Sequence, residues 1–166
     1  AECRMQKARR CRLLAFCILH FAFCIVPAAA QPADAPLIVI PFDNTTQEPR
    51  LAWLREGAGV LLTVALAASG APVIGRGERL QAFDRVQLPA HATLSRASTI
   101  RVGEALSAAA VVSGAMQLDG EQLTVRARVV RLDSGRLLPD SVATGPPADL
   151  FNVFARLAQQ IRNLPS

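Results

Sequence analysis

The stretch from Gln122 to Leu132 alternates, and that leaves the backbone little choice. Leu123, Val125, Ala127 and Val129 fall on one side, and Thr124, Arg126, Arg128 and Val130 on the other. This is the two-residue period of a strand with one face against a core. Asp119-Gly120 stands just before it. Glycine tolerates the positive φ of a tight hairpin turn, so the segment before the turn, roughly Ala110 to Leu118, must be an antiparallel partner. Asp133-Ser134-Gly135 marks a second turn. Arg136 to Thr144 then reads as the third strand of a meander, with Pro139 placing it at an edge or a bulge.

A different pattern opens the folded part. Leu37-Ile38-Val39-Ile40 is an unbroken apolar run, the mark of a strand buried on both faces and typical of parallel pairing. Pro41 ends it, and Asp43, Asn44, Thr45 and Thr46 form a polar loop. A helical stripe follows over Trp53 to Ala68: Leu54, Gly57/Ala58, Leu61, Val64/Ala65, Ala68. The opposite side of this helix (Val60, Leu62, Leu66) is apolar too, which predicts a largely buried helix, with Gly70 as its C-cap. Ala71 to Ile74 completes a right-handed βαβ unit. A short helix is expected over Arg79 to Val86 and another over Ile100 to Leu106, capped by Ser98 or Thr99. Asp149 is placed to cap a last helix, Leu150 to Arg162, with the stripe Leu150, Val153/Phe154, Leu157, Ile161. No internal repeat is present.

The 166-residue chain carries a formal charge of +5, but the charge is concentrated at the N-terminus. Lys7, Arg9, Arg10 and Arg12 precede an apolar stretch from Leu13 to Val26, and Pro27-Ala28-Ala29-Ala30 supplies small residues for cleavage. This is the layout of a secretory signal peptide over 1–30, with translation starting at Met5 and cleavage after Ala30. The apolar part is shorter than the ~20 residues of a membrane-spanning helix. Cys24 follows the bulky Phe23, where lipoprotein processing wants a small residue. The expectation is a periplasmic or secreted protein exported by the Sec route, with no stable membrane span after cleavage. Residues 31–36 form a Pro/Ala linker and 37–164 the domain.

Cleavage removes all four cysteines, so the mature chain has no thiol for a disulfide, a nucleophile or a metal. It keeps thirteen arginines, no lysine and twelve acidic residues, a net charge of +1. A nucleic-acid partner is not supported by that balance. No glycine lies between Asp43 and Glu56, so the first loop cannot cradle a phosphate as a P-loop does. Gly75-Arg76-Gly77 starts a dinucleotide pattern, but Leu80 stands where the third glycine belongs. His91 is the one histidine of the mature chain; Ser95 or Ser98 could stand near it, yet no G-x-S-x-G elbow is present. The carboxylate pairs Asp43/Glu48, Asp119/Glu121 and Asp140/Asp149 have no aromatic sugar platform beside them: Trp53 is the sole tryptophan and tyrosine is absent. The residues therefore point to no catalytic, cofactor-binding or metal site. Candidate contact residues are Asp43, Asn44 and Thr45 in the first loop, and Arg126 and Arg128 on the meander. The two arginines either grip an anionic partner or keep a solvated sheet face from pairing.

Several motifs resemble a known family. PFDN (41–44) and REG (55–57) resemble the strand-loop-helix start of the TolB amino-terminal-like domain, shared with FlgO-like and CsgG-like exported proteins. VGEALSAAAVVSGAMQLDGEQLTVRARVVRLDSGRLL (102–138) resembles the second half of that domain, and Asp149-Leu150-Phe151 its last helix start. The resemblance implies an α/β fold in three layers, with a five-stranded mixed sheet in the order 2-1-3-4-5, a C-terminal meander and a final helix. It implies a non-enzymatic module of the cell envelope that contacts other envelope proteins, either alone or ahead of tetratricopeptide repeats. The alternative is a periplasmic domain that binds a small ligand or glycan. Asp43 and Asn44 are expected to turn the chain from strand to helix through Asx-type hydrogen bonds, or to belong to a rim at the carboxyl end of the strands.

Overall fold

The computed structural model describes residues 36–46, 48–89 and 92–164. The expected leader, all but the last residue of the 31–36 linker, and His91 lie outside the described residues. The apolar run forms β1 (Leu37–Val39), and Asp43–Asn44 forms a two-residue strand, β2. Both lie parallel to β3 (Ala110–Asp119): Ile38 is opposite Val111, and Asn44 is opposite Met116. The hairpin pairs β3 with β4 (Gln122–Arg131) antiparallel, from Ala110 opposite Arg131 to Asp119 opposite Gln122. Gly120, in the turn, has φ +58°, the left-handed value the hairpin needs. β4 pairs antiparallel with β5 (Ser141–Gly145).

The fold class read from the sequence holds, with local corrections. The expected strand at 71–74 shrinks to one parallel bridge, Val73 to Leu37, held by Leu37 N–H to Pro72 O (2.9 Å) and Ile74 N–H to Leu37 O (2.8 Å). Counted with that bridge, the sheet runs in the expected order, and β1 lies inside it as its apolar composition requires. The loop expected at Asp43 and Asn44 is instead β2, because their backbones continue the β1 line along β3. The third meander strand begins five residues late, at Ser141; ahead of it only Leu137 bridges to Val130, and Pro139 lies between.

Helices cover both faces. α1 (Leu54–Ala68) and α4 (Leu150–Arg162) sit on one side; α2 (Arg76–Arg85) and α3 (Arg96–Ala105) sit on the other. β1 serves both layers, with Val39 in the α1/α4 core and Ile38 and Ile40 in the α2/α3 core. In α4 the expected stripe is buried at Val153, Phe154, Leu157 and Ile161 and partly buried at Leu150, and Ala158 joins it. In α1 the inward line is Leu54, Ala58, Leu62 and Leu66, one residue round from the expected one, and Val64 is 61% exposed. A helix apolar on every side does not encode its own orientation; the neighbouring α4 and the sheet choose it.

Caps differ as well. Ser95, one turn earlier than Ser98 or Thr99, caps α3 by accepting the Ser98 N–H (3.2 Å). Asp149 makes no side-chain cap; a 3-10 turn, Pro147–Asp149, leads into α4, and the Asn152 amide donates to the Asp149 carboxylate. No described helix is long and apolar enough to cross a membrane.

Candidate functional site

The two helical layers do not cover the sheet equally. α2 and α3 pack on Ile38, Ile40 and Val111, which leaves the same face of β4 and β5 open. Alternation along β4 delivers Arg126 and Arg128 to that open face, while Leu123, Val125 and Ala127 go fully under α1 and α4. On β5, Val142 stands on the same open face, 37% exposed, and Leu137, bridged to Val130, is 46% exposed.

Asp140, just ahead of β5, spans both arginines. Its Oδ2 accepts from Arg126 Nη1 (3.3 Å) and its Oδ1 from Arg128 Nε (3.2 Å). Both guanidinium side chains remain more than half exposed, at 56% and 54%. An exposed pair of this kind contributes about 0–1 kcal/mol, so the arrangement orients the guanidinium groups more than it stabilises the fold. Between this face and the start of α3 runs a groove of about 300 Å³. Its walls carry Asp43, Arg96, Arg126 and Arg128, and Ser113, Ala115 and Val130 line it as well. Arg96 has no ion-pair partner among the described residues.

Of the candidate residues, Asp43, Arg126 and Arg128 therefore come together on one groove. Asn44 and Thr45 do not join them. Asn44 Nδ2 donates to Glu48 O (2.9 Å) and its Oδ1 accepts from Thr46 Oγ1 (3.1 Å), the local turn-holding role expected of an Asx residue. Thr45 binds Met116 O through both its N–H (2.9 Å) and its hydroxyl (3.0 Å), which ties the loop to β3. Asp43 lies 3.5 Å from Arg55 Nη2, whose guanidinium also donates to Thr93 Oγ1 (3.1 Å).

Composition drew attention to none of the most buried charge. Arg79 on α2 is 1% exposed. Its Nη1 donates to Val39 O (2.9 Å), its Nη2 to Glu56 Oε1, and Glu56 also takes Arg76 Nε at 2.7 Å. Burial lowers the Arg79 pKa, and the charge of Glu56 works the other way. Its Nε has no partner among the described residues. The signal was there in outline: Arg79 shares a helix face with Phe83, four residues on. At the turn after β4, hydrogen bonds from Arg131 and Ser134 lower the Asp133 carboxyl to about 2.

Asp43, Glu48 and Asp140 each face an arginine. Ser95 and Ser98 serve the α3 cap, sharing a hydroxyl contact at 3.1 Å. Among the described residues no group of three or more His, Cys, Asp or Glu could hold a metal.

No family model matches the chain, and no curated protein does. Solved structures do. The chain is similar to the LpoB C-terminal domain from Escherichia coli at TM-score 0.55 and 17% identity, over 72% of this chain and 88% of that one. It is similar to a PelC variant dodecamer from Paraburkholderia phytofirmans at TM-score 0.50 and 16% identity, over 74% of this chain and 84% of that one. At these identities the likeness is one of fold. It corrects the expected TolB amino-terminal-like assignment: TolB from Acinetobacter baumannii reaches TM-score 0.48 and 15% identity, over 78% of this chain and 29% of that one, and carries no argument. The motifs behind that assignment serve the topology. The Phe42 ring lies where any Gly114 side chain would be, Asn44 holds the loop, and Gly135 takes the left-handed turn at φ +64°.

Proposed function

We propose that the chain is a non-enzymatic module of the cell envelope, exported with a leader cleaved after Ala30, that acts by contacts with other proteins through the open face of its meander. The observation that carries this reading is that face: two half-exposed arginines, oriented by Asp140, beside exposed Val142 and Leu137. Arginine with apolar neighbours is the composition of protein contact surfaces. The three-part leader supports export.

The test is photo-crosslinking in the native host from residues 126, 128 and 142, with 155 and 159 on the outer side of α4 as controls. Protein adducts from the first three positions alone are expected, on a chain beginning at Gln31. Equal adducts from all five, or none, would defeat the reading. A second reading, a small-ligand or glycan site, is favoured by the groove volume, which is at the lower end of ligand pockets (about 300–1,000 Å³). It predicts a rise in Tm with an envelope glycan, abolished by Arg96→Ala.

A further inference from the structure

β5 is the outer strand of the sheet, paired with β4 on one side. An outer strand presents unpaired N–H and C=O groups, and proteins blunt such edges with charges, prolines, bulges or a covering element. The strand itself, Ser141-Val142-Ala143-Thr144-Gly145, contains no charge and no proline. Pro139 and Pro146 bound its length but leave its edge free to pair.

Two side chains of α4 occupy that edge. Gln160 Oε1 accepts the Val142 N–H (3.0 Å), and Arg156 Nη2 donates to Thr144 O (2.6 Å). One takes a donor and the other an acceptor, as the backbone of a neighbouring strand would. Gln160 and Arg156 stand four residues apart, on one line of the helix. That line continues towards Val153, which approaches β5 so closely that a side-chain carbon added at Gly145 would lie 2.8 Å from it. Because Val142 N–H turns away from β4, the two-residue period turns Thr144 N–H outward as well.

We infer that Gln160 and Arg156 are a gate on the β5 edge, and that with the gate removed this edge pairs with the β5 edge of a second copy. The occupant follows from the strand. Two edges of one uncharged five-residue sequence meet antiparallel about a twofold axis with no like charges opposed, and an isologous contact of this kind closes as a dimer.

The first measurement is hydrogen exchange on the chain as processed in its host. The Val142 amide is expected to exchange about threefold to tenfold more slowly than the Thr144 amide, the protection one net hydrogen bond supplies. Equal rates would overturn the gate. The second is sedimentation of Gln160→Ala/Arg156→Ala across a concentration series, with Gln159→Ala as control. The double variant is expected to dimerise while the wild type and control stay monomeric. Adding Val142→Pro, which removes the outward N–H, is expected to restore the monomer. A folded double variant that stays monomeric, or a dimer that Val142→Pro leaves intact, would overturn the proposal. If the double variant does not fold, Gln160→Glu, which keeps an acceptor for Val142 N–H, must retain the slow exchange and Gln160→Leu must lose it; the opposite result overturns the gate.

Discussion

The two faces of one sheet are built on different principles. Under α1 and α4, residues from β1, β3, β4 and β5 join a continuous core in which Leu62, Val125, Phe154 and Leu157 are all but sealed from water. On the opposite face the core is smaller, ends at β3, and gives way to Arg126, Arg128 and Val142 in the open. One strand, β4, contributes to both: Leu123, Val125, Ala127 and Val129 stabilise the fold, and Arg126 and Arg128 face outward. Stability and contact chemistry are thereby separated by a single residue step, and substitutions on one face should leave the other intact.

The strongest way to break that comparison is a matched pair of substitutions. Leu62→Ala should cost about 2–5 kcal/mol in urea unfolding, because it leaves a cavity where the side chain is fully buried. Arg128→Ala should change stability by less than about 0.5 kcal/mol and act only on crosslinking. Similar losses from both would mean that the open face is part of the core. A smaller effect is expected where the two layers meet, at Arg79. Glu56→Ala leaves the buried guanidinium with Val39 O as its remaining described partner; since Glu56 is itself partly exposed, the expected cost is about 2 kcal/mol, below the 3–5 of a fully buried pair. Glu56→Ala/Arg79→Met should recover most of it, because an apolar chain of similar volume carries no unpaired charge. The mildest effect is that of acid on the meander turn. Asp133 titrates at about 2 in the fold, below its ordinary value of 3.8, so its contribution to stability is fully present above pH 4 and disappears as pH falls through 2. NMR titration of its carboxyl should show that midpoint, moved up towards 3.8 in Arg131→Ala.

How legible these features were depended on their range. The hairpin at Asp119-Gly120, the alternation of β4 and the stripe of α4 were all read correctly, since each is encoded within ten or so neighbouring residues. The cap of α3 was misplaced because Ser95, Ser98 and Thr99 are equally suitable in isolation. Asp43 was singled out in the first loop and Arg126 with Arg128 on the meander; nothing local showed that all three line one groove, or that Asp140 would hold both arginines. Arg79 escaped notice because its partners Val39 and Glu56 lie 40 and 23 residues away.

By itself, then, the sequence determined a parallel strand buried on both sides, an antiparallel meander and the inward stripe of the last helix. Periodicity and turn chemistry act through the nearest residues, and those are present in any one-dimensional reading. The tertiary structure alone decided which side of the largely apolar helix α1 faces inward, which sheet face stays open, and that α4 places Gln160 and Arg156 on the β5 edge. Those outcomes depend on pairs of elements meeting in space, where packing selects among orientations that local propensity leaves nearly equal in energy.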